Sequence, residues 1–216
     1  MTDQPGDSPT APTAQDELAA LAEEFFAAEN AHDPFGATLG GIEGYAHEVP
    51  DPSRAAALRH REVLRAFRAR LAAIPLDGLA GEDRLTHRVL ARLIENNSGW
   101  ITHGLDDFSV SASIVAPHNT VFATFAMTAV DQEGAGAYLE RLAGLPGYFD
   151  AVLQRSLDAA AEGRLPLRSG VDAAVTQLDG YLAADPTADQ LLRPLRGRPE
   201  YERARADCPA PTGSTR

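Results

Sequence analysis

The chain has no lysine, a single cysteine and no long hydrophobic run among its 216 residues. All 19 basic residues are arginine, which excludes Schiff-base lysine chemistry and a Walker-type phosphate lysine within the chain. The lone Cys208 excludes an intramolecular disulfide framework. No apolar stretch approaches the roughly 20 residues that a membrane-spanning helix needs. These absences predict a protein without a disulfide scaffold and without a membrane span.

Acidic residues outnumber basic residues by 31 to 19, which gives a formal net charge of -12. A surface that acidic repels phosphate backbones, so nucleic acid is excluded as an expected partner. It disfavours anionic membranes for the same reason. The first 15 residues are polar and carry no hydrophobic segment, so we expect no signal peptide and a cytoplasmic location.

Alanine and leucine are abundant and β-branched residues are sparse, which favours helix over strand. We predict an all-α fold, a multi-helix bundle with a central helical hairpin and one irregular segment. Residues 1–15 read as a disordered leader, 16–195 as the helical domain and 196–216 as a disordered tail. Asp16 is predicted to cap the first helix, and Asp51-Pro52-Ser53 to begin another that runs to Ile74.

The central hairpin is predicted over residues 131–182, where apolar residues recur at helical spacing. Two breaks divide it: Leu145-Pro146-Gly147 ends or kinks one helix, and the stretch at 163–166 ends the next. We expect each helix to place an apolar stripe on its neighbour. The helix before the hairpin is predicted to end at 96–99, and residues 98–130 form the irregular segment, with a short helix near 120–127.

Residues that carry recognisable chemistry form no strong motif. No two of the six histidines lie four residues apart, and neither H-E-x-x-H nor a G-x-S-x-G elbow occurs. One candidate polar cluster flanks the irregular segment, although ordinary loop polarity explains it equally well. We therefore assign no catalytic, cofactor-binding or metal-binding residue. The candidate cluster consists of His103, Asp106, Asp107 and His118.

Several stretches together resemble a known bacterial family. They are Asp33-Pro34 with Ala37-Thr38-Leu39-Gly40, then Tyr45, then Val49-Pro50-Asp51-Pro52-Ser53, then the segments beginning at Tyr138, Leu145, Gly163 and Gln177. In order and spacing they are similar to the N-terminal half of bacterial domain-of-unknown-function family 885 (DUF885). The resemblance covers about residues 16–195. It implies a helical fold and longer relatives that resemble zinc metallopeptidases.

The metal-binding stretch that the resemblance implies for longer relatives, H-E-x-x-P-G-H, has no counterpart in this sequence. No cofactor is therefore expected for this chain, and zinc only for its full-length relatives. Three hypotheses follow. The chain is a non-catalytic scaffold half, truncated or acting with a separate catalytic part; or it is a stand-alone interaction or small-ligand-binding module; or it is a hydrolase with an unrecognised site.

Two structural observations separate these hypotheses. An exposed apolar face on the central hairpin would count against the stand-alone module, because that face would have lost its covering half. A pocket that holds several ionisable side chains with shifted pKa values would favour the hydrolase. The expected partner in the first case is the catalytic half or another protein.

Overall fold

A computed structural model of the chain describes residues 12–128, 130 and 134–207. Those residues form eight α-helices and no strand, so the all-α prediction is confirmed. Within this described part, no helix combines the length and the apolar character needed to cross a bilayer. The helices are α1 Ala14–His32, α2 Pro34–Leu39, α3 Arg54–Ala73, α4 Gly81–Thr102, α5 Pro117–Met127, α6 Gly134–Ala161, α7 Arg168–Leu182 and α8 Pro199–Asp207.

The first helix begins earlier than predicted, inside the expected leader. Thr13 is its N-cap, because the Thr13 hydroxyl accepts from the Asp16 backbone N–H at 3.2 Å. The Asp16 carboxylate in turn accepts from the Thr13 N–H at 3.0 Å. This reciprocal capping box satisfies two N–H groups at the helix start, so Asp16 belongs to the third helical position. Residues 1–11 of the predicted leader lie outside the described residues.

Two hydrophobic cores hold the helices together. In the first, α1, α3 and α4 bury residues at helical spacing, and Phe25 meets Phe67 edge-on at 5.5 Å between ring centroids. In the second, α6 packs against α2, α5 and the chain near Leu195. The first core contains Leu18, Leu21, Phe25, Leu64, Phe67, Leu71, Ile74, Leu79, Leu90 and Ile94, and the second contains Phe35, Val121, Phe125, Ala135, Tyr138, Leu145, Tyr148 and Leu195.

The predicted end or kink at Leu145-Pro146-Gly147 does not end a helix. Helix α6 continues through Pro146 from Gly134 to Ala161. Proline removes one backbone donor, but Tyr138 and Leu145 before it and Tyr148 after it are buried in the same core. Packing on both sides of the proline outweighs the local break. The second predicted break is confirmed, since α6 ends before Gly163, which has a φ of 77°.

The predicted packing between the two hairpin helices is wrong. The sole buried residue on α7 is Ala174. Val175 and Leu182 on α7 are 51% and 65% exposed, and Leu153 and Leu157 on α6 are 58% and 55% exposed. Helix α6 instead turns its buried face to the second core, which includes no residue of α7. These four residues, which were predicted to pack between the two helices, therefore face solvent.

The irregular segment is shorter than predicted, because α4 runs on to Thr102 instead of ending at 96–99. Gly104 follows its C-cap His103 with a φ of 60°, a left-handed conformation that ends helices and favours glycine. A short 3₁₀ turn at Leu105–Phe108 comes next, and α5 then begins at Pro117. The irregular segment thus spans 103–116, and the predicted short helix is α5.

The predicted disordered tail contains a helix. Residues 199–207 form α8, and Tyr201 and Ala204 pack against the second core. The Arg198 guanidinium also donates to the Val130 carbonyl at 2.6 Å. These tertiary contacts order a segment that lacks a periodic apolar pattern of its own. Residues 208–216, with Cys208, lie outside the described residues.

Candidate functional site

A cleft of about 420 Å³ opens between the C-terminal end of α1, the N-terminal part of α3 and the C-terminal end of α4. The turn at 105–108, the chain at 50–52 and one face of α6 complete its walls. Its volume falls within the range of small-molecule sites. Ionisable and aromatic side chains from all of these elements line it, including Glu29, His32, His60, Trp100, Asp106 and Tyr148.

A hydrogen-bonded carboxylate, that of Glu29, lines the cleft. His60 Nε2 lies 2.8 Å from Glu29 Oε1, and Asn97 Nδ2 donates to the second oxygen of Glu29 at 2.5 Å. The His60 side chain is 7% exposed, so this contact is shielded from water. The carboxylate is held from two directions by α3 and α4, and it in turn fixes the orientation of the His60 ring.

His32 stacks on His60 with the ring centroids 3.7 Å apart and the planes 7° from parallel. Partial burial lowers the pKa of His32, and the adjacent His60 acts in the same direction. The carboxylates of Glu29, Asp33 and Asp106 oppose this by favouring the protonated ring. Because the net pKa shift is downward, His32 is neutral at pH 7 and adds no positive charge to the cleft.

This pKa shift predicts that the protein loses stability as the pH falls below about 6.5, the ordinary histidine pKa. The unfolded chain binds a proton at His32 more readily than the folded chain does. The stability that this shift contributes is fully present above the pKa that His32 has in the unfolded chain. It is lost as the pH falls towards the lower pKa that His32 has in the folded protein. One group changes the free energy of unfolding by at most about 1.4 kcal/mol per pH unit, and solvent screening reduces this further.

Urea unfolding of the wild type and of His32→Gln at pH 7.5 and 5.5 measures this effect. We expect the wild type to lose more stability than the variant between the two pH values, since the variant has no proton to gain at position 32. Identical losses in both proteins would show that His32 does not contribute. Carboxylates that titrate between pH 7.5 and 5.5 change the stability of both proteins equally, so their effect cancels when the two losses are compared.

Another part of the cleft wall contains the Trp100 indole and the Arg155 guanidinium, both of which contact the Asp106 carboxylate. Trp100 Nε1 donates to Asp106 Oδ1 at 2.6 Å, and Arg155 Nη2 lies 3.3 Å from Asp106 Oδ2. Burial raises the pKa of the neighbouring Tyr148 to about 12, with a further contribution from Asp33 and Asp106. The phenol is therefore neutral at physiological pH.

The predicted polar cluster is divided between different surroundings. Asp106 and Asp107 are joined through Arg155, but Asp106 faces the cleft whereas Asp107 is buried. His103 is exposed at the end of α4. His118 is buried on α5, with its Nε2 3.1 Å from Gln177 Oε1. A functional role for these four residues stays a prediction.

Sequence reasoning missed Glu29, His32 and His60, which converge in the cleft. The available local signal was the spacing of Glu29 and His32, three residues apart and thus on one face of a helix. Nothing local connects them to His60 or Asn97, which tertiary packing of α3 and α4 brings to them.

The cleft does not fit the zinc ion that the resemblance implies for longer relatives. Among residues 12–128, 130 and 134–207, no three His, Cys, Asp or Glu side chains form a group that could hold a metal ion. The stacked rings of His32 and His60 direct their nitrogen lone pairs along parallel planes, so the pair does not converge on one tetrahedral ion.

Comparison with protein-family models identifies the family of this chain. The model of the bacterial protein family of unknown function DUF885 matches residues 34–211, which is most of the chain. The chain belongs to DUF885. No curated protein and no solved structure matches it.

The DUF885 match differs in extent from the expected 16–195. It begins at Pro34, which leaves α1 outside, and it continues through α8, whose segment was not expected to resemble the family. Glu29 and His32 of the cleft therefore precede the DUF885 match, while His60, Trp100 and Asp106 lie within it. The cleft combines DUF885 positions with residues that the match leaves out.

The DUF885-like motifs meet at one buried side chain in this structure. Arg141 on α6 donates to the Thr38 hydroxyl at 2.8 Å and to the backbone carbonyls of Tyr45 and Glu48. Thr38 and Tyr45 belong to the N-terminal signature, and Arg141 to the segment that begins at Tyr138. The hydrogen bonds of Arg141 therefore join the two parts of the resemblance and hold the loop after α2 against α6.

Proposed function

We propose that this DUF885 chain is a non-catalytic helical scaffold that docks a separate catalytic part, located elsewhere in a longer protein or on another chain. One observation carries the proposal: α6 has a second apolar face that nothing in the described structure covers. Family membership and the absence of an H-E-x-x-P-G-H stretch in the sequence support it as well.

The uncovered face, which we name the α6 stripe, consists of Phe149, Leu153 and Leu157. Its members are four residues apart, so they align along one side of the helix. Their exposed fractions are 38%, 58% and 55%. The buried face of the same helix is formed by residues such as Tyr138 and Leu145. A helix that is apolar on two sides is typical of one packed between two bodies.

The connection to α7 extends the apolar surface beyond the α6 stripe. Leu165 and Leu167 are 65% and 82% exposed, and Leu182 near the end of α7 is 65% exposed. Single exposed leucines are common on protein surfaces, whereas several on one helix and its adjoining loop suit contact with a protein partner. A stand-alone module would be expected to keep such residues covered.

The double substitution Leu153→Asp and Leu157→Asp is expected to weaken docking by about 100-fold or more, because two leucines lose their burial at the interface. The partner to be tested is the H-E-x-x-P-G-H-containing part of a longer DUF885 protein, and calorimetry measures its affinity. Leu85→Asp with Val89→Asp is a matched control, since these α4 residues are 53% and 48% exposed and also four apart.

Binding in a one-to-one complex that the α6 variant loses and the α4 variant keeps would support the scaffold role. No binding, or equal binding by both variants, would contradict it. Self-association of the chain through the α6 stripe would also contradict the proposal, because the occupant would then be a second copy.

The second candidate is a small-ligand-binding module, and the cleft favours it. Two of its lining groups, His32 and Tyr148, have shifted pKa values. The hydrolase hypothesis finds its support in the same place, because His60 and Glu29 form the pairing that a general base requires. A screen with peptide and ester substrates tests it.

A further inference from the structure

We propose that the cleft is a binding site for a small organic cation, a primary alkylammonium ion whose charged end lies against Asp33 and Asp106 and whose apolar body lies against Trp100. This inference goes beyond the scaffold role and does not depend on the α6 stripe. It follows from the cavity, the charges of its lining groups and the position of the indole.

Carboxylates from separate elements converge on the cleft. Glu29 comes from α1, Asp33 from the residue that follows α1, and Asp106 from the 3₁₀ turn. All three carboxylates line the same cleft, and each favours the protonated form of the His32 ring. Such convergence in a partly enclosed space concentrates negative potential and attracts a cation.

The cationic side chain of the cleft wall, Arg155, offsets only part of this potential, because it pairs with one of those three carboxylates, Asp106. Arg155 Nε donates to Asp107 Oδ1 at 2.7 Å, and Nη1 donates to the Pro52 carbonyl at 3.0 Å. Its remaining nitrogen lies beside Asp106. Asp107 is shared with Arg164 and Arg54, so Arg155 also offsets part of the charge of Asp106. The carboxylates of Asp33 and Glu29 keep the cleft negative. His32 is neutral and contributes no opposing charge.

Trp100 supplies the surface that distinguishes an organic cation from a metal ion. Its ring is 52% exposed, while its N–H is fixed on Asp106 at 2.6 Å. The indole is the best aromatic partner for a cation, and here its plane is anchored next to a carboxylate. Asp106 has lone pairs left over after accepting from Trp100, so it can also accept from an ammonium group.

The rest of the lining suits an apolar body. Val115, Val152 and Pro117 border the cleft, and Tyr148 is a neutral phenol there. A fully hydrated inorganic cation gains nothing from these groups, and an anion is repelled by the carboxylates. A small alkyl chain with a terminal ammonium matches both the charged and the apolar part of the surface.

Trp100 is the sole tryptophan of the chain, so its fluorescence reports directly on the cleft. The wild-type protein is titrated with butylammonium chloride, and with butanol and sodium butyrate as isosteres that lack the positive charge. We expect a saturable change with butylammonium and affinities at least about tenfold weaker for both isosteres. Calorimetry with the same three compounds provides a second readout.

Asp106→Asn and Asp33→Asn are expected to weaken butylammonium binding about tenfold. Asparagine at position 106 retains an oxygen that can accept from the indole, so the reporter is preserved. Asp172→Asn on α7 is the matched control, because the Asp172 side chain is 69% exposed and does not line the cleft, and we expect no change.

Absence of saturable butylammonium binding by both methods would overturn the proposal, as would equal affinity for butanol. Unchanged affinity in both cleft variants would also overturn it, and the wild-type comparison remains decisive if a variant fails to fold. The α6 stripe variant is expected to bind butylammonium like the wild type, so failure of this site and failure of the scaffold role are distinguishable.

Discussion

Replacement of Arg141 by alanine is expected to lower the free energy of unfolding by about 3–5 kcal/mol. The Arg141 side chain is 0% exposed, and no carboxylate of the described residues accepts a hydrogen bond from its guanidinium. It donates instead to the Thr38 and Thr128 hydroxyls and to the carbonyls of Tyr45 and Glu48. Its charge also lies 5.5 Å from the centre of the Phe35 ring.

The expected loss has two sources and one offset. Alanine leaves a cavity in the second core, and several buried acceptors lose their donor. Burial lowers the pKa of Arg141, which reflects the cost of keeping this charge away from water, and that cost is recovered in the variant. The lost contacts outweigh the recovery because one side chain satisfies acceptors on three segments at once.

Thermal and urea unfolding measure this prediction. Arg141→Lys is expected to be intermediate, since an ammonium group cannot reproduce the planar arrangement of guanidinium donors. Arg65→Ala is the control, because the Arg65 side chain is 79% exposed and we expect a change within about 0.5 kcal/mol. A loss below about 1 kcal/mol for Arg141→Ala would mean that the loop after α2 is held by other contacts.

The second large effect is expected at Asp107, where asparagine should cost about 3 kcal/mol or more. The Asp107 side chain is 1% exposed, accepts from Arg155 Nε at 2.7 Å and forms an ion pair with Arg164 Nη2 at 2.6 Å. Arg54 approaches it at 3.4 Å. Removing the negative charge leaves Arg155, itself 7% exposed, without its closest counter-ion and sets an amide group against a guanidinium.

The same unfolding measurements apply to Asp107→Asn, with Asp172→Asn as the exposed control. Gly104 shows how tightly this cluster is packed, because a Cβ at that position would lie 2.5 Å from Arg164 Nη1 and 2.7 Å from Asp107 Oδ2. A change of less than about 1 kcal/mol would indicate that the arginines find other partners. A large change would establish Asp107 as a structural residue.

The predictable part of this fold is the part that local signals encode. Helix α3 begins directly after the predicted start Asp51-Pro52-Ser53, because the Ser53 hydroxyl accepts from the Ala56 N–H and caps the helix. The proline lies before the cap instead of in the first turn. The loop between α6 and α7 follows from Gly163 and Pro166. The order and spacing of the motifs predicted the family. Thr38, Tyr45 and Arg141, which belong to those motifs, are hydrogen-bonded to one another through the Arg141 guanidinium.

Tertiary contacts decided everything that local signals did not predict. Pro146 indicated a break, yet burial of Tyr138 and Tyr148 in one core keeps α6 continuous. The apolar residues of α7 indicated packing on α6, but periodicity does not specify which neighbour an apolar face will meet. In the cleft, Glu29 and Asn97 are 68 residues apart, so no local pattern connects them.

Zinc analysis combined with a broad peptidase screen on the purified chain is the most direct test of the central proposal, that this DUF885 chain is a non-catalytic scaffold. The account predicts no stoichiometric zinc and no cleavage by the chain alone. Stoichiometric zinc together with peptide hydrolysis by the chain alone would contradict it.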